Sequence, residues 1–511
     1  MTGEIGAMDY SLFESFRYFV PELALAGGAL GAVVADLLTR PGSERPVREP
    51  GHAGWPARVA LVAAALAILA TLRQFGGTPG WLFTHNLVFD RFAIFFRIVL
   101  GLATIAAVWM SIGSREIGGG QEGEYYVLLL ASGLSMFLMV ASANLLMAYL
   151  SLEFLSLTSY ALTGFRRGDL RASEAALKYL IFGGVASGAM IYGMSWLYGL
   201  AGSIEYTRIN EALVTGQHHP LPLFVALMLV FAGFGYKVAA VPFHMWAPDV
   251  YTGAPIPFTT FLAVGSKAAG FGLLIRFFYP AMSQSTDGQL TWTYLAGVEW
   301  PQVMLVVSMV TMTLGNLAAL HQTNLKRLLA YSGIAHAGYI LMGFVVLSHE
   351  GLRAMLFYLV VYYLMNLGAF WVVMVVANVT GREDLDAYRG LAWRGGAVPA
   401  VALGVFLFSL TGLPPLAGFI GKFYLFAAVI KAKFYFLALV GVLNSVVSLY
   451  YYAGVVRAMF LDAPPEGAPE VRLDAFNGGA IAILCIFTFY FGIFFGGLID
   501  LAGQSARFWM G

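Results

Sequence analysis

The chain has 511 residues, 59% of them hydrophobic and only 11% charged, with a mean hydropathy of +0.76. Soluble proteins carry roughly a quarter charged residues, so this sequence lacks the polar side chains to cover a water-facing surface and belongs in a bilayer. Its 29 basic and 28 acidic residues leave a formal charge of +1, which excludes a nucleic-acid binder working through a basic field. The single cysteine, Cys485, leaves no disulfide framework and no thiolate set for zinc or an iron–sulfur cluster.

In chain order, Met1 to Arg17 carries Glu4, Asp9 and Glu14 against one arginine. That is the wrong charge for a signal-peptide n-region, so the first apolar stretch reads as a retained helix. A crossing needs about 20 apolar residues and is most economically a helix. About fourteen such runs follow, centred near Leu30, Ala65, Ile105, Leu134, Leu155, Met190, Phe231, Val264, Val310, Leu341, Val360, Phe408, Gly441 and Phe489. The expected fold is an all-α polytopic membrane protein. Loops after odd-numbered spans hold about sixteen Lys and Arg, among them Arg40, Arg45, Arg48, Arg115, Arg166, Arg171, Lys326, Arg382 and Arg472, against about nine elsewhere. This bias puts the odd loops in the cytoplasm and, with an even number of spans, both termini on the periplasmic side.

Removing the loop residues leaves Arg97, Lys237, Lys267 and Lys422 inside apolar segments. Arg97 is near enough to a helix end to snorkel. Lys267 follows Pro257 by ten residues, which puts it about 15 Å down its helix, near the midplane. Glu153 is equally deep and is expected to pair with Lys237. One carboxylate does not neutralise three lysines, and a buried amine without a counter-ion holds its proton loosely. A group at that depth costs at least about 2.5 kcal/mol on insertion scales and faces a bundle interior or a hydrated cavity.

Two of the lysines stand beside helix breakers. Lys237 precedes Val241-Pro242-Phe243-His244, and Lys422 follows Gly412-Leu413-Pro414-Pro415. Proline removes a backbone donor and clashes with the preceding turn, so spans seven and twelve are expected to be interrupted, as helices lining ion pathways are. An odd separation of five crossings reverses direction, so any repeat relating them is inverted. His244, beside the first break, and His336, within the tenth span, are further groups able to pass protons; His321 is a weaker one, and the loop residues His218, His219 and His349 carry no signal. No His spacing suits a metal.

The stretch Tyr236 to Pro257, running on to Val264-Gly-Ser-Lys-Ala-Ala-Gly270, closely resembles the antiporter-like membrane subunits of respiratory complex I. So does Asn324 to Tyr339, with its Lys-Arg-Leu-Leu-Ala-Tyr-Ser-Gly-Ile-Ala-His core, and Leu410 to Phe423. The resemblance covers about Tyr125 to Met459. It implies fourteen helices with two inverted five-helix repeats: an N-terminal three-helix segment at 1–123, repeats at 124–280 (helices 4–8) and 301–460 (helices 9–13), and a last helix at 477–501. It also implies a relay of Glu153, Lys178, Lys237, Lys267 and Lys422, with His244 and His336 beside it. Lysine at the twelfth-helix position departs from the subunit M pattern, which has glutamate. The chain's end at Gly511 departs from subunit L, which continues into a lateral helix. Both departures point to the subunit N branch. The resemblance further implies a proton-translocating subunit without cofactor or metal of its own, in a bacterial inner membrane beside M and K-like subunits. NADH, FMN, iron–sulfur clusters and quinone would then sit on partner subunits and the peripheral arm. The alternative is a subunit of an Mrp-type cation/proton antiporter, whose motifs overlap with these.

Overall fold

The computed structural model describes residues 8–39, 53–117, 121–216, 219–286, 290–295 and 298–507. Arg40, Arg45, Arg48 and His218 lie outside the described residues. Among the described residues thirteen helices are each long and apolar enough to cross a bilayer. In order they are Val20–Thr39, Trp55–Arg73, Arg91–Ile112, Glu122–Ala141, Leu145–Thr163, Leu170–Ala201, Pro220–Val238, Ile256–Met282, Trp300–Ala319, Leu325–Val345, His349–Thr380, Tyr435–Phe460 and Ala475–Ile493. Between His349–Thr380 and Tyr435–Phe460 the chain forms two 15-residue helices, Ala397–Thr411 and Ala417–Lys431. Each is about 22 Å long, too short to cross alone. Together they make the twelfth crossing, so the helices in chain order are counted below as spans one to fourteen. The seventh is broken too, continuing after Val238 as Trp246–Gly253.

Local sequence explains how the two halves match. Asn144 and Asn324 cap the fifth and tenth spans, their side-chain oxygens accepting from Met147 N at 2.8 Å and Arg327 N at 3.0 Å. Each asparagine also forms a backbone bridge to the segment after the next span, Asn144 to Glu205 and Asn324 to Asp384. The sixth and eleventh spans both have 32 residues and end on a left-handed glycine, Gly202 (φ 69°) and Gly381 (φ 66°), a conformation only glycine adopts without cost. Each break holds a left-handed residue, Ala239 or Gly412, and a cis X–Pro bond, Val241–Pro242 or Pro414–Pro415. Since five crossings separate every pair, the two halves run in opposite directions through the membrane.

Two short hairpins, Gly80–Leu82 with Leu87–Phe89 and Ser283–Thr286 with Thr291–Tyr294, lie on the face of the even-numbered loops. Their alternation is too brief to read in sequence. The eighth, tenth and eleventh spans are buried along nearly their whole length and form the centre of the bundle.

Two buried ion pairs correct the expected charge map. Arg97 does not snorkel: it is 0% exposed and meets Glu22 of the first span at 2.5 Å. The third span is largely enclosed by its neighbours, so nearness to a helix end does not bring Arg97 to lipid. Glu153 is therefore not the only acid inside the bundle. Arg276, counted with the loops in sequence, is buried in the eighth span and grips Asp90 with both terminal guanidinium nitrogens, at 2.6 and 2.7 Å. Asp90 at the same time caps the third span through Ala93 N at 2.8 Å. Arg276→Ala is expected to destabilise the subunit by about 3–5 kcal/mol, because a buried carboxylate loses its bidentate partner. A thermal unfolding series of the purified complex, with its subunit content, checks this.

Candidate proton pathway

Glu153 lies on the fifth span, half-buried, and accepts a hydrogen bond from the Ser187 hydroxyl of the sixth. Lys237 ends the first piece of the seventh span and is buried, its Nζ 3.4 Å from Ser156 Oγ. Among the described residues no direct ion pair joins Glu153 to Lys237; each instead meets a serine. Ser156 is three residues after Glu153, on the same helix face, so the lysine reaches that face one step along it while Ser187 takes the carboxylate. The Trp246 indole donates to Tyr236 O at 2.8 Å, a second donor beside Ala239 N at 3.1 Å, and so ties the piece after the break to the piece before it. His244 sits within the break, buried, its Nδ1 without a hydrogen-bond partner among the described residues.

Lys267 follows directly on a π-helical turn, Leu262–Ser266, inside the fully buried eighth span. Such turns insert an extra residue and re-aim the side chains after them. Its Nζ has no hydrogen-bond partner and lies 5.9 Å from the ring centres of both Tyr251 and Tyr362. The amine fits because residue 333 is glycine: a Cβ there would stand 2.6 Å from Lys267 Nζ. Lys237 is close along the same groove, since its Cγ would lie 3.3 Å from a Cβ on Gly270, one turn beyond Lys267.

From Lys267 the polar line continues through rings. Tyr362 is 5.2 Å from His336, centre to centre. The imidazole Nδ1 is 2.7 Å from the Tyr358 hydroxyl, and Nε2 is 3.5 Å from that of Tyr452, which also hydrogen-bonds Ser332. Tyr339, one turn on from His336, accepts from Ser445 Oγ at 3.2 Å. Ser445 in turn accepts from Lys422 Nζ at 3.1 Å. Lys422, at the second break, also donates to Thr411 O at 2.9 Å and stands 4.4 Å above the Tyr339 ring. Buried lysines at both breaks are thus connected through the bundle centre by Lys267, His336 and a set of phenols.

Lys178 stands apart from this line. Its side chain is 40% exposed and bridges Glu174 at 2.7 Å and Asp249 at 2.9 Å, and Asp249 also receives Arg327 at 2.6 Å. That knot belongs to a larger clamp on the link between the seventh and eighth spans. Arg166 donates to Gly253 O, buried Lys326 to Ala254 O at 2.8 Å, and Glu116 accepts from Ile256 N at 2.6 Å. Sequence reasoning missed Asp249, Ser187 and the phenols of the line. The spacing of Tyr358 and Tyr362, and of Ser332, His336 and Tyr339, was a same-face signal, hidden among 26 tyrosines. Among the described residues no group of three His, Cys, Asp or Glu is arranged to hold a metal ion.

Two inverted halves with broken helices and lysines at the breaks define an antiporter-like transmembrane subunit. Residues 142–448 match the family model described as NADH:quinone oxidoreductase/Mrp antiporter, TM. The chain is 45% identical to NADH-quinone oxidoreductase subunit N of Anaeromyxobacter sp. (strain Fw109-5), over 97% of this chain and 98% of that protein. A chain of respiratory complex I from Thermus thermophilus superposes with a TM-score of 0.76 at 30% identity, covering 94% of this chain and 99% of its own. A chain of the Mrp complex from Dietzia sp. DQ12-45-1b shares the fold, with a TM-score of 0.80 at 20% identity over 97% of each chain. The chain belongs to the NADH:quinone oxidoreductase/Mrp antiporter family and, within it, to the subunit N group.

Proposed function

We propose that this chain is a proton-translocating subunit of an NADH:quinone oxidoreductase, moving protons while partner subunits carry the electrons. The observation that carries this reading is the buried line from Lys237 through Lys267 and His336 to Lys422, whose amines have no carboxylate within ion-pair distance among the described residues. A static structural charge is kept paired; amines that are unpaired and linked by hydroxyls and an imidazole suit proton exchange. In this reading Glu153 exchanges protons with the Lys237 end through the Ser187 and Ser156 hydroxyls, His244 serves the first break, and Lys178 acts through Asp249. The repeats span 124–280 and 301–460, after the segment 1–123 and before the last helix at 477–501. NADH, FMN, iron–sulfur clusters and quinone are held by other subunits, this chain carrying no redox centre. Its neighbours in a bacterial inner membrane are M and K-like subunits.

The rival, a subunit of an Mrp-type cation/proton antiporter, rests on likeness of fold. Mass spectrometry of the complex purified through this subunit tests the choice. Copurified NADH-oxidising subunits support the proposal; their absence, with cation/proton exchange in the purified assembly, favours the rival. The orientation also has a direct test. With Cys485 replaced by serine, a cysteine at Gly168 is expected to be labelled from the cytoplasm and one at Ser285 from the periplasm, as the Lys/Arg bias requires. The reverse pattern overturns it.

A further inference from the structure

We propose that a hollow between the surface helix Leu12–Tyr18 and the end of the second span binds an anionic phospholipid, its phosphodiester held between Arg17 and Arg73. The hollow has a volume of about 570 Å³, and both arginines line it together with Tyr18, Val20, Ala70 and Gln74. Gln74 caps the second span, and its side-chain amide donates to the carbonyls of Arg17 and Tyr18, each at 3.2 Å. These two hydrogen bonds fix the two helix ends against each other, so Arg17 and Arg73 border one space.

Depth and chemistry both fit a lipid headgroup. The second span has 19 residues, about 28 Å of helix, which leaves Arg73 at its end near the boundary between hydrocarbon and headgroups. Leu12 and Phe13 of the surface helix are 60% and 87% exposed, which makes it a helix lying in the interface. Further along the same two spans Leu23, Leu66 and Leu69 are exposed and offer a track for an acyl chain.

An anion suits the two arginines. On this same face Arg208 pairs with Glu205 at 3.0 Å, Arg353 with Asp500 at 3.1 Å and Lys431 with Glu350 at 2.6 Å. Arg17 and Arg73, like Arg91, Lys433 and Arg507, have no ion-pair partner among the described residues; what sets the first two apart is that both line one hollow. Each stands in the last turn of its helix, where a cation offsets the open carbonyls by about 0.3–1 kcal/mol. That accounts for a basic residue at each end and does not account for both lining one hollow. This is also the face poorer in Lys and Arg, where unpaired arginines run against the orientation bias. Inorganic phosphate would satisfy the guanidinium groups alone, whereas a phospholipid uses the lipid-facing track as well.

The test uses the intact complex carrying Arg17→Gln with Arg73→Gln, purified in mild detergent beside wild type, delipidated, and incubated with mixed micelles of phosphatidylglycerol or phosphatidylcholine or with inorganic phosphate. Native mass spectrometry is expected to count one bound phosphatidylglycerol fewer in the variant, with unchanged subunit content, and phosphate at millimolar concentration is expected not to displace the wild-type lipid. Arg17→Lys with Arg73→Lys, which keeps both charges, is expected to restore the count. An unchanged lipid count in the glutamine variant would overturn the proposal. So would displacement by phosphate, which marks a free-anion site, or loss of a neighbouring subunit from both lysine and glutamine variants, which marks a protein contact.

Discussion

Lys237→Ala is expected to leave the complex assembled and to cut its proton pumping and coupled quinone reductase activity by about 100-fold, the low end of what a positioned proton-transfer group contributes. The lysine is buried at the first break, its Nζ 3.4 Å from Ser156 Oγ. Its stem packs over Gly270, one turn from Lys267. Alanine removes the exchanging amine and puts no charge in its place, so the cost to folding is that of a small cavity. Lys237→Arg is expected to be damaging as well, although the charge is kept. Arginine holds its proton at every physiological pH, so it cannot pass one on. Turnover with NADH and quinone, with subunit content measured on the same sample, checks both variants. Normal coupled activity in either would remove Lys237 from the relay.

The second large effect is expected at Lys422. Lys422→Ala should abolish most pumping, while Lys422→Glu should retain more, because glutamate still exchanges a proton at the same place. The surroundings favour this. The Ser445 hydroxyl, 3.1 Å from the amine, is able to donate to a carboxylate, the Thr411 carbonyl at 2.9 Å accepts only from the protonated acid, and a hollow of about 310 Å³ beside them, bordered by Gly412, Phe426 and Ser445, has room for a shorter side chain with water. A carboxylate reverses the sign of the charge and loses the lysine's stacking over Tyr339, so full activity is not expected. Pumping by reconstituted complexes, followed by quenching of a pH-sensitive dye and normalised to electron flux, ranks the three. Equal pumping by wild type, Lys422→Glu and Lys422→Ala would show that no proton needs this residue.

Much of this site was legible because deep charge in a membrane segment is costly and therefore informative. Lys237 and Lys422 announced themselves by their neighbouring prolines, and Lys267 by its distance from Pro257. Both breaks fall where proline was expected to interrupt the helix. What failed were inferences that needed to know which way a helix faces. A place near a helix end suggests lipid for Arg97, yet that end is enclosed, and its partner Glu22 lies two spans away in the chain, where no local pattern connects them. Arg276 was lost for the same reason, its partner Asp90 being identifiable in sequence only as a helix cap. Depth puts Glu153 and Lys237 on one level, and the structure adds which hydroxyl each meets, Ser187 for the carboxylate and Ser156 for the amine. The phenols were illegible for another reason. Tyrosine is at home at a membrane interface and in a packed core alike, so only the structure distinguishes Tyr358, Tyr362 and Tyr452, gathered around His336, from the rest.

The central claim is that protons cross the bundle by way of its unpaired amines, and Lys267 is the most exacting place to test it. It is fully enclosed, has no hydrogen-bond partner, and stands between the two halves of the line. The measurement is the number of protons pumped per electron pair by the reconstituted complex carrying Lys267→Ala, at an electron flux matched to wild type by limiting NADH. The account predicts a lower ratio in the variant, with the subunits all present. A ratio equal to that of wild type would contradict it.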